Sequence, residues 1–205
     1  IEPYAGGYSF RAILKETQND NEGAMSDYTK AIELDPNDSE FFIDRGELKI
    51  ELNDFAGAII DFKKAIKLDP DNPDPIANKA IAEFYLEDYK GSIKDAKKAI
   101  KLDPKNARIF YFLAYSKYLT ENSEGALKDM DKAINIEADN EEYFNLRGYI
   151  KINIEDYEGA IKDFSKALKI YYKKPEDQLK YFRVAAYLHY LRGMTRWNDM
   201  QAKYV

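Results

Sequence analysis

Glycine recurs with a fixed period along this chain, and the period constrains the fold more than any other feature. The glycines stand at Gly23, Gly57, Gly91, Gly125, Gly159 and Gly193, each 34 residues after the last. Alanines keep the same step at Ala31, Ala65, Ala99, Ala133 and Ala167. The stretches GAMSDYTKAIELDP and GAIIDFKKAIKLDP, which begin at residues 23 and 57, show the repetition directly. A fixed period of this length indicates a stack of supersecondary units.

Each period contains two apolar segments with helical spacing. In residues 39–72 the first segment contains Phe41, Phe42, Ile43, Gly46, Leu48, Ile50 and Leu52, and the second contains Phe55, Ala58, Ile59, Phe62, Ala65, Ile66 and Leu68. A residue with a short polar side chain stands between the two segments of every unit, at Asp20, Asp54, Asp88, Asn122 and Asp156. Such residues favour the N-cap of a helix. The sequence therefore predicts a helix, a turn and a second helix in each unit.

Prolines and glycines add further local predictions. Pro36, Pro70 and Pro104 are expected to end the second helices, because proline lacks an N–H and clashes with the preceding turn. Asp74 followed by Pro75 predicts an N-cap and a first helical residue. Glycine within a helix costs about 1 kcal/mol relative to alanine. The glycines at 23 and its equivalents therefore predict a close approach by a neighbouring helix.

Three small positions per unit make the pattern similar to the tetratricopeptide repeat family over residues 5–174. In units that begin at residues 5, 39, 73, 107 and 141, these positions hold Ala12, Gly46, Ala80, Ala114 and Gly148, then Ala24, Ala58, Ser92, Ala126 and Ala160, then the alanine series that begins at Ala31. The chain departs from the family in holding Lys or Glu at the eleventh position, where an aromatic residue is frequent, and in lacking the terminal proline in units four and five.

The resemblance implies an all-α fold, a right-handed superhelical solenoid of antiparallel helix pairs. We expect one repeat domain over 1–205, with units 5–38, 39–72, 73–106, 107–140 and 141–174. Residues 175–205 are expected to form an atypical, mostly helical cap, because terminal repeats cover an exposed face on one side only. The chain should contain eleven or twelve helices and no strand.

A charged pattern recurs in the units. Arg11 and Lys15 stand four residues apart on a first helix, as do Arg45 with Lys49 and Arg147 with Lys151. The second helices carry Asp27, Asp61, Asp95, Asp129 and Asp163. A catalytic site is needed once, whereas this pattern appears repeatedly. We therefore expect ion pairs between the two helices of a unit, each contributing about 0.5 kcal/mol if it is exposed.

Composition and motifs argue against several function classes. The net charge of −6 argues against nucleic-acid binding, and no apolar run is long enough to span a membrane. Cysteine is absent, and His189 is the single histidine, expected to be partly buried in the cap. No motif for nucleotide, metal or nucleophile chemistry is present. We expect a soluble protein that is not an enzyme and has no cofactor or metal. A targeting segment is either absent or already removed, so the compartment stays open, with the cytoplasm slightly favoured.

The resemblance implies that the first helices line a concave groove. Positions two, five, six and nine of each unit should face it. These are Glu40, Ile43, Asp44 and Glu47; Asp74, Ala77, Asn78 and Ile81; Arg108, Tyr111, Phe112 and Tyr115; and Glu142, Asn145, Leu146 and Tyr149. The cations that chaperone-binding members of the family use to clamp a C-terminal carboxylate are missing, since Ser9, Asp44 and Asn78 stand at matching places. Carboxyl-terminal chaperone peptides are therefore not expected as partners.

Two hypotheses about function follow. The groove could bind a peptide or protein segment that is apolar and carries basic residues, because aromatic anchors bury large area and carboxylates reject acidic partners. Alternatively, the chain is a structural module that self-associates through exposed repeat ends or belongs to a larger chain. The tyrosines of the groove could equally pack against neighbouring repeats rather than bind a ligand. The sequence does not identify a partner.

Overall fold

The computed structural model describes residues 4–171 and 187–193. The first helices of the successive repeats are α1 (Ala5–Thr17), α3 (Ser39–Glu51), α5 (Pro73–Tyr85), α7 (Ala107–Leu119) and α9 (Glu141–Asn153). The second helices are α2 (Asn21–Leu34), α4 (Phe55–Leu68), α6 (Tyr89–Leu102), α8 (Ser123–Ile136) and α10 (Tyr157–Tyr171). Residues 187–193 are also helical, and no strand occurs in the part of the chain that is described. The all-α prediction is confirmed, and most of the expected cap lies outside the described residues.

The chain divides into two compact units. Ile1–Pro104 forms unit 1 and contains α1 to α6, and Lys105–Val205 forms unit 2 and contains α7 to α10. In both units the main packing partner of each first helix is the second helix that follows it. Within unit 1, α4 also packs against α5, and within unit 2, α8 packs against α9.

The turn between paired helices has one conformation throughout. Its central residue has a left-handed backbone in all five repeats: Asn19 (φ 59°), Asn53 (φ 61°), Glu87 (φ 62°), Glu121 (φ 62°) and Glu155 (φ 62°). In the first repeat the N–H of Asp20 donates to the carbonyl of Lys15, and the N–H of Asn19 donates to the carbonyl of Glu16. These two bonds form the Schellman motif, which satisfies carbonyls left open at the end of a helix. The turn is thus fixed by local bonds.

The residue after each left-handed position caps the second helix, as the sequence predicted. Asp20 accepts from the N–H of Gly23 at 3.0 Å, and Asp54 accepts from Gly57 at 2.9 Å. Asp88, Asn122 and Asp156 repeat the bond to Gly91, Gly125 and Gly159.

The expectation of a neighbouring helix at the periodic glycines is wrong. A Cβ atom added to Gly23 or Gly57 would overlap the capping carboxylate of the same turn. The glycine therefore makes room for the N-cap side chain of its own helix.

The predicted start of α5 also needs correction. Its N-cap is Asn72, whose side chain accepts from the N–H of Asp74, and the helix begins at Pro73. Asp74 is therefore inside the first turn, where a carboxylate interacts favourably with the helix dipole. Outside unit 1, the predicted partial burial of His189 is wrong as well, because that side chain is exposed.

Small residues occupy the contacts between helices. Ala12, Ala24 and Ala31 have no exposed surface, and their equivalents in the other repeats are equally buried. Two repeats have glycine where the others have alanine at the eighth position. A Cβ on Gly46 would lie 2.6 Å from the ring of Phe62, and one on Gly148 would lie 2.7 Å from the ring of Phe164. Glycine at these two positions leaves room for a phenylalanine on the paired helix.

The recurring aspartates form the predicted ion pairs with the first helix. Arg45 binds Asp61 through Nε at 2.9 Å and Nη2 at 2.7 Å, and Lys49 Nζ lies 2.6 Å from the same carboxylate. The same two-cation arrangement holds Asp27 and Asp163. The energy expected for an exposed pair does not apply to them, because these three aspartates are only 2–4% exposed. Lysine at the eleventh position thus stabilises a buried carboxylate where the family often has an aromatic residue.

Candidate peptide-binding surface

Consecutive first helices of unit 1 are joined by hydrogen bonds between predicted groove positions. The hydroxyl of Ser9 on α1 donates to Asp44 Oδ2 on α3 at 3.0 Å. Further along, Asn78 Nδ2 on α5 donates to Glu47 Oε1 on α3 at 2.7 Å. The structure therefore brings together Asp44, Glu47 and Asn78 on one row of helices.

Five carboxylates lie along this row, and we call them the acidic surface: Glu16, Glu40, Asp44, Glu47 and Asp74. Burial raises the pKa of Asp44 from 3.8 to about 6, and the nearby charges of Glu40, Glu47 and Glu16 add to the rise. Burial also raises the pKa of Glu40, with Asp74 contributing. The pKa of Glu16 is raised for the same first reason, although a hydrogen bond with Tyr28 opposes the shift.

Three carboxylates of the acidic surface, Glu16, Glu40 and Asp44, differ from the buried aspartates in having no salt bridge to a cation among the described residues. Each recurring aspartate of the second helices has an Arg or Lys partner. A hydrogen bond from Arg11 lowers the pKa of Asp27 to about 2, which is opposite to the shift of Asp44. The acidic surface therefore holds negative charge that a bound cation would stabilise.

The remaining predicted residues of unit 1 differ in accessibility. Glu40, Glu47 and Asp74 are exposed. Ile43 and Ile81 are 5% and 2% exposed, so they can support the surface only from beneath.

Unit 2 brings the predicted tyrosines into a ring network. The rings of Tyr111 and Tyr115 on α7 lie 5.9 Å apart between centroids, and Tyr111 contacts Tyr143 on α9 at 5.4 Å. We call Tyr111, Tyr115, Tyr143 and Tyr149 the tyrosine cluster. Tyr149 lies 5.1 Å from the ring of Phe164 and is 36% exposed. Tyr143 is only 3% exposed, whereas Tyr111, Tyr115 and Tyr149 contact other rings and also retain exposed surface. Both sequence hypotheses about these three rings therefore stay compatible with the structure.

Asn145 is a further polar group of unit 2 on a predicted groove position. Its Nδ2 donates to the hydroxyl of Tyr171 at 2.9 Å, while its Oδ1 is buried and has no hydrogen-bond partner among the described residues. Buried acceptors are nearly always satisfied in folded proteins. Arg108 and Glu142 are exposed, whereas Phe112 is 6% exposed and lies beneath the guanidinium of Arg108.

Sequence reasoning missed two members of these groups. Glu16 is at the twelfth position of its repeat, outside the four positions assigned to the groove, and Tyr143 is at the third. Glu16 could have been found from the accumulation of carboxylates at the ends of α1 and α3. No sequence signal marks Tyr143, because its role depends on the distance between α7 and α9.

The described residues contain neither a cluster of metal ligands nor a helix suited to a bilayer. In residues 4–171 and 187–193, no three His, Asp or Glu side chains are arranged to hold a metal ion. None of the helices described has the length and apolar character needed to cross a bilayer.

The fold defines the class of protein: an all-α stack of 34-residue helix pairs that carries an acidic surface and a tyrosine cluster on its first helices. Family models for the tetratricopeptide repeat match residues 5–38, 39–72 and 141–174, and a further model of that description matches 78–143. The chain belongs to the tetratricopeptide repeat family, and this membership supports a role as a protein-interaction scaffold. A search of curated proteins found no significant match.

Solved structures share the fold at low sequence identity. A crystal structure of MamA is 24% identical, with a TM-score of 0.73, and the match covers 80% of this chain and 96% of that one. MamA from Desulfovibrio magneticus RS-1 is 20% identical, with a TM-score of 0.76 and coverage of 83% and 96%. YrrB, described as a tetratricopeptide repeat protein with an unusual peptide-binding site, is 21% identical, with a TM-score of 0.68 and coverage of 87% and 90%.

Proposed function

We propose that this protein is a non-catalytic scaffold whose first helices bind a peptide or protein segment that is apolar and carries basic residues. The observation that carries the proposal is that Glu16, Glu40 and Asp44 have no salt bridge among the described residues, in contrast to the paired aspartates of the same chain. A lysine or arginine of the partner would favour the ionised form of Asp44. YrrB is a protein of the same fold with a described peptide-binding site, which adds to the case.

The tyrosine cluster would supply the apolar part of the interaction. Tyrosine gives a large contact area with few rotatable bonds, and it is common among residues that dominate binding energy.

Binding of a labelled peptide of alternating lysine and leucine tests the acidic surface. The double variant Glu40→Lys and Glu47→Lys should weaken binding about tenfold at low ionic strength, and added salt should weaken binding to the unmodified protein. Asp71→Lys with Asp139→Lys is the matched control, because both residues are exposed in turns outside the acidic surface. Equal losses from the two pairs would reject a specific surface.

The tyrosine cluster is tested with the same peptide on Tyr115→Ala. The rings nearest Tyr115 include Tyr111 and Tyr118 of its own helix, whereas Tyr111 also contacts Tyr143 on the next first helix. Tyr115→Ala should therefore cost the peptide at least about 1 kcal/mol with little change in melting temperature. A clear loss of stability with unchanged affinity would assign the ring to packing.

A second candidate function, self-association with another copy of this chain, is favoured by the outer face of the first repeat. Leu14 is 47% exposed, whereas its equivalents Leu48 and Ile150 are 1% and 0% exposed, and Phe10 beside it is 64% exposed. The first repeat also carries both signs of charge, since Arg11, Lys30, Glu22 and Glu33 line one pocket there. Mass measured over a range of concentrations should rise, and Phe10→Ser with Leu14→Ser should abolish the rise. A constant monomer mass would remove this candidate.

A further inference from the structure

A pocket of about 420 Å³ lies between α4, α5 and α6, away from the residues of the acidic surface. Four lysines line it: Lys63, Lys79, Lys94 and Lys98. Its apolar lining comes from Ile66, Pro70 and Ile76. The pocket therefore combines positive charge at several points with a hydrophobic wall.

At this pocket the third repeat has a smaller residue where other repeats have a ring. Ile76 is at the fourth position of its repeat, and three other repeats have phenylalanine there. In those repeats a lysine of the paired helix lies over the ring: Lys64 over Phe42 at 5.8 Å, Lys132 over Phe110 at 5.3 Å, and Lys166 over Phe144 at 5.8 Å. Lys98 is the equivalent lysine of the third repeat, and Ile76 offers it no ring.

A second substitution removes a bond between repeats at the same place. Arg45 donates to Thr29 of the preceding repeat at 3.2 Å. In unit 2, Arg147 likewise donates to Asp131 of the preceding repeat at 2.8 Å. The equivalent pair in the third repeat is Lys79 and Lys63, two cations that cannot bond to each other.

The charges of the pocket are only partly neutralised. Lys79 binds Asp95 and Glu83, and Lys98 lies 3.1 Å from Asp95. Lys63 and Lys94 are exposed and have no ion-pair partner among the described residues. Two carboxylates, Asp95 and Glu83, therefore oppose four ammonium groups, and the pocket is complementary to an anion.

We propose that this lysine-rimmed pocket is a second protein-binding site, which takes an acidic segment of a partner protein. One apolar side chain of the segment would enter between Ile66 and Ile76, while carboxylates on either side of it would meet Lys63 and Lys94. The apolar wall favours an acidic peptide over a nucleic acid, because it has a place for an aliphatic side chain between the charges. The site is independent of the acidic surface, because it selects the opposite charge.

The probe is a short fluorescent peptide with one leucine between glutamates, titrated into the full chain. Ile76→Phe should weaken its binding about tenfold, because the ring that other repeats carry would fill the pocket while every charge is kept. Lys63→Glu with Lys94→Glu should weaken it at least as much. Lys97→Glu with Lys101→Glu is the control of equal charge change, since both residues are exposed on α6 and do not line the pocket. That control should stay within about twofold.

Several results would overturn the proposal. For the variants, these are an unchanged peptide affinity in Ile76→Phe and equal losses of affinity in the two double-lysine variants. For the probes, they are a failure of the peptide to bind the unmodified protein and equally tight binding of single-stranded DNA of the same charge. Replacing the leucine of the peptide by serine must also weaken binding about tenfold, and this arm needs no protein variant. It keeps the proposal falsifiable even if Ile76→Phe lowers the melting temperature.

Discussion

The second and third repeats, residues 39–72 and 73–106, share a framework and differ in the charges that surround it. In the second, two cations hold Asp61, with Arg45 at 2.7 Å and Lys49 at 2.6 Å. In the third, the first helix pairs Asp95 with a single cation, Lys79, which also binds Glu83. The comparison shows that the buried aspartate is the constant element, whereas the residues around it vary.

Differences between the second and third repeats also distinguish the acidic surface from the lysine-rimmed pocket. At the sixth position the second repeat has Asp44, which belongs to the acidic surface, and the third has Asn78. At the fourth position the second repeat has Phe42, and the third has Ile76, which lines the lysine-rimmed pocket. A repeat can therefore change the charge and shape of its surface while it keeps the buried aspartate and the small residues between its helices.

Neutralising the buried aspartates should give the largest difference in stability between the second and third repeats. Asp61→Asn leaves two largely buried cations without a carboxylate, so it should lower the free energy of unfolding by about 3 kcal/mol. Asp95→Asn should cost about 1 kcal/mol, because Lys79 keeps Glu83 as its partner. Urea denaturation at neutral pH measures both. Equal losses of unfolding free energy in the two variants would mean that pairing Asp61 with two first-helix cations instead of one does not affect stability.

Replacing the glycine at the eighth position of the second repeat by alanine should give the next largest change in stability. Gly46→Ala should destabilise the fold by about 1–2 kcal/mol, because the added methyl group collides with Phe62 and this outweighs the gain in helix propensity. The third repeat has Ala80 at this position and Ala96 opposite, with no ring in the way.

Gly57→Ala is the matched control for that substitution. Its methyl group would meet the carboxylate of Asp54, which can rotate, so the lost cap and the gained propensity should nearly cancel. Thermal melting of the two variants separates overpacking from propensity. A Gly46→Ala protein as stable as the unmodified chain would contradict the packing of Phe62 against α3.

The titration of Asp44 predicts a smaller effect that depends on pH. Its pKa in the folded chain is about 6, above the ordinary 3.8, so the folded state keeps this proton longer than the unfolded state does. The contribution of Asp44 to the free energy of unfolding should therefore fall as pH rises from about 4 to about 6, by about 1–2 kcal/mol after solvent screening.

Asp44→Asn, which introduces the residue of the third repeat, isolates this contribution. The variant and the unmodified chain should differ little below about pH 4, and the variant should be more stable above about pH 6. The low pKa of Asp27 acts outside this window, because that carboxylate loses its stabilising charge only at more acid pH. A constant difference between the two proteins across the window would contradict the raised pKa of Asp44.

The smallest effect concerns the left-handed residue of the turn. Glu87 has φ 62°, and Asn53 has φ 61° at the same place in the second repeat. Asparagine tolerates this backbone better than glutamate does, so Glu87→Asn should stabilise the fold by about 0.5 kcal/mol. The opposite substitution, Asn53→Glu, should destabilise the fold. Chemical denaturation of both variants checks the pair, and a change of the same sign in both would contradict the explanation.

Features set by local sequence could be predicted, and features set by distances between repeats could not. The N-caps at Asp20 and Asp54 depend on residues three positions away, and the sequence identified them. The role of Gly57 was missed because no pattern tells a nearby side chain from a nearby helix. The raised pKa of Asp44 depends first on burial and in part on Glu16, a residue of α1, so it arises only when α1 and α3 are packed together.

The spacing of the recurring charged pairs has a consequence for folding kinetics. Arg45 and Asp61 are 16 positions apart, Lys49 and Asp61 are 12 apart, and the same separations recur in other repeats. Closing loops this short costs little chain entropy, and proteins dominated by short-range contacts reach the native state quickly. A single helix pair is therefore sufficient as a nucleus from which neighbouring pairs add on, so initiation need not occur at one fixed point in the chain.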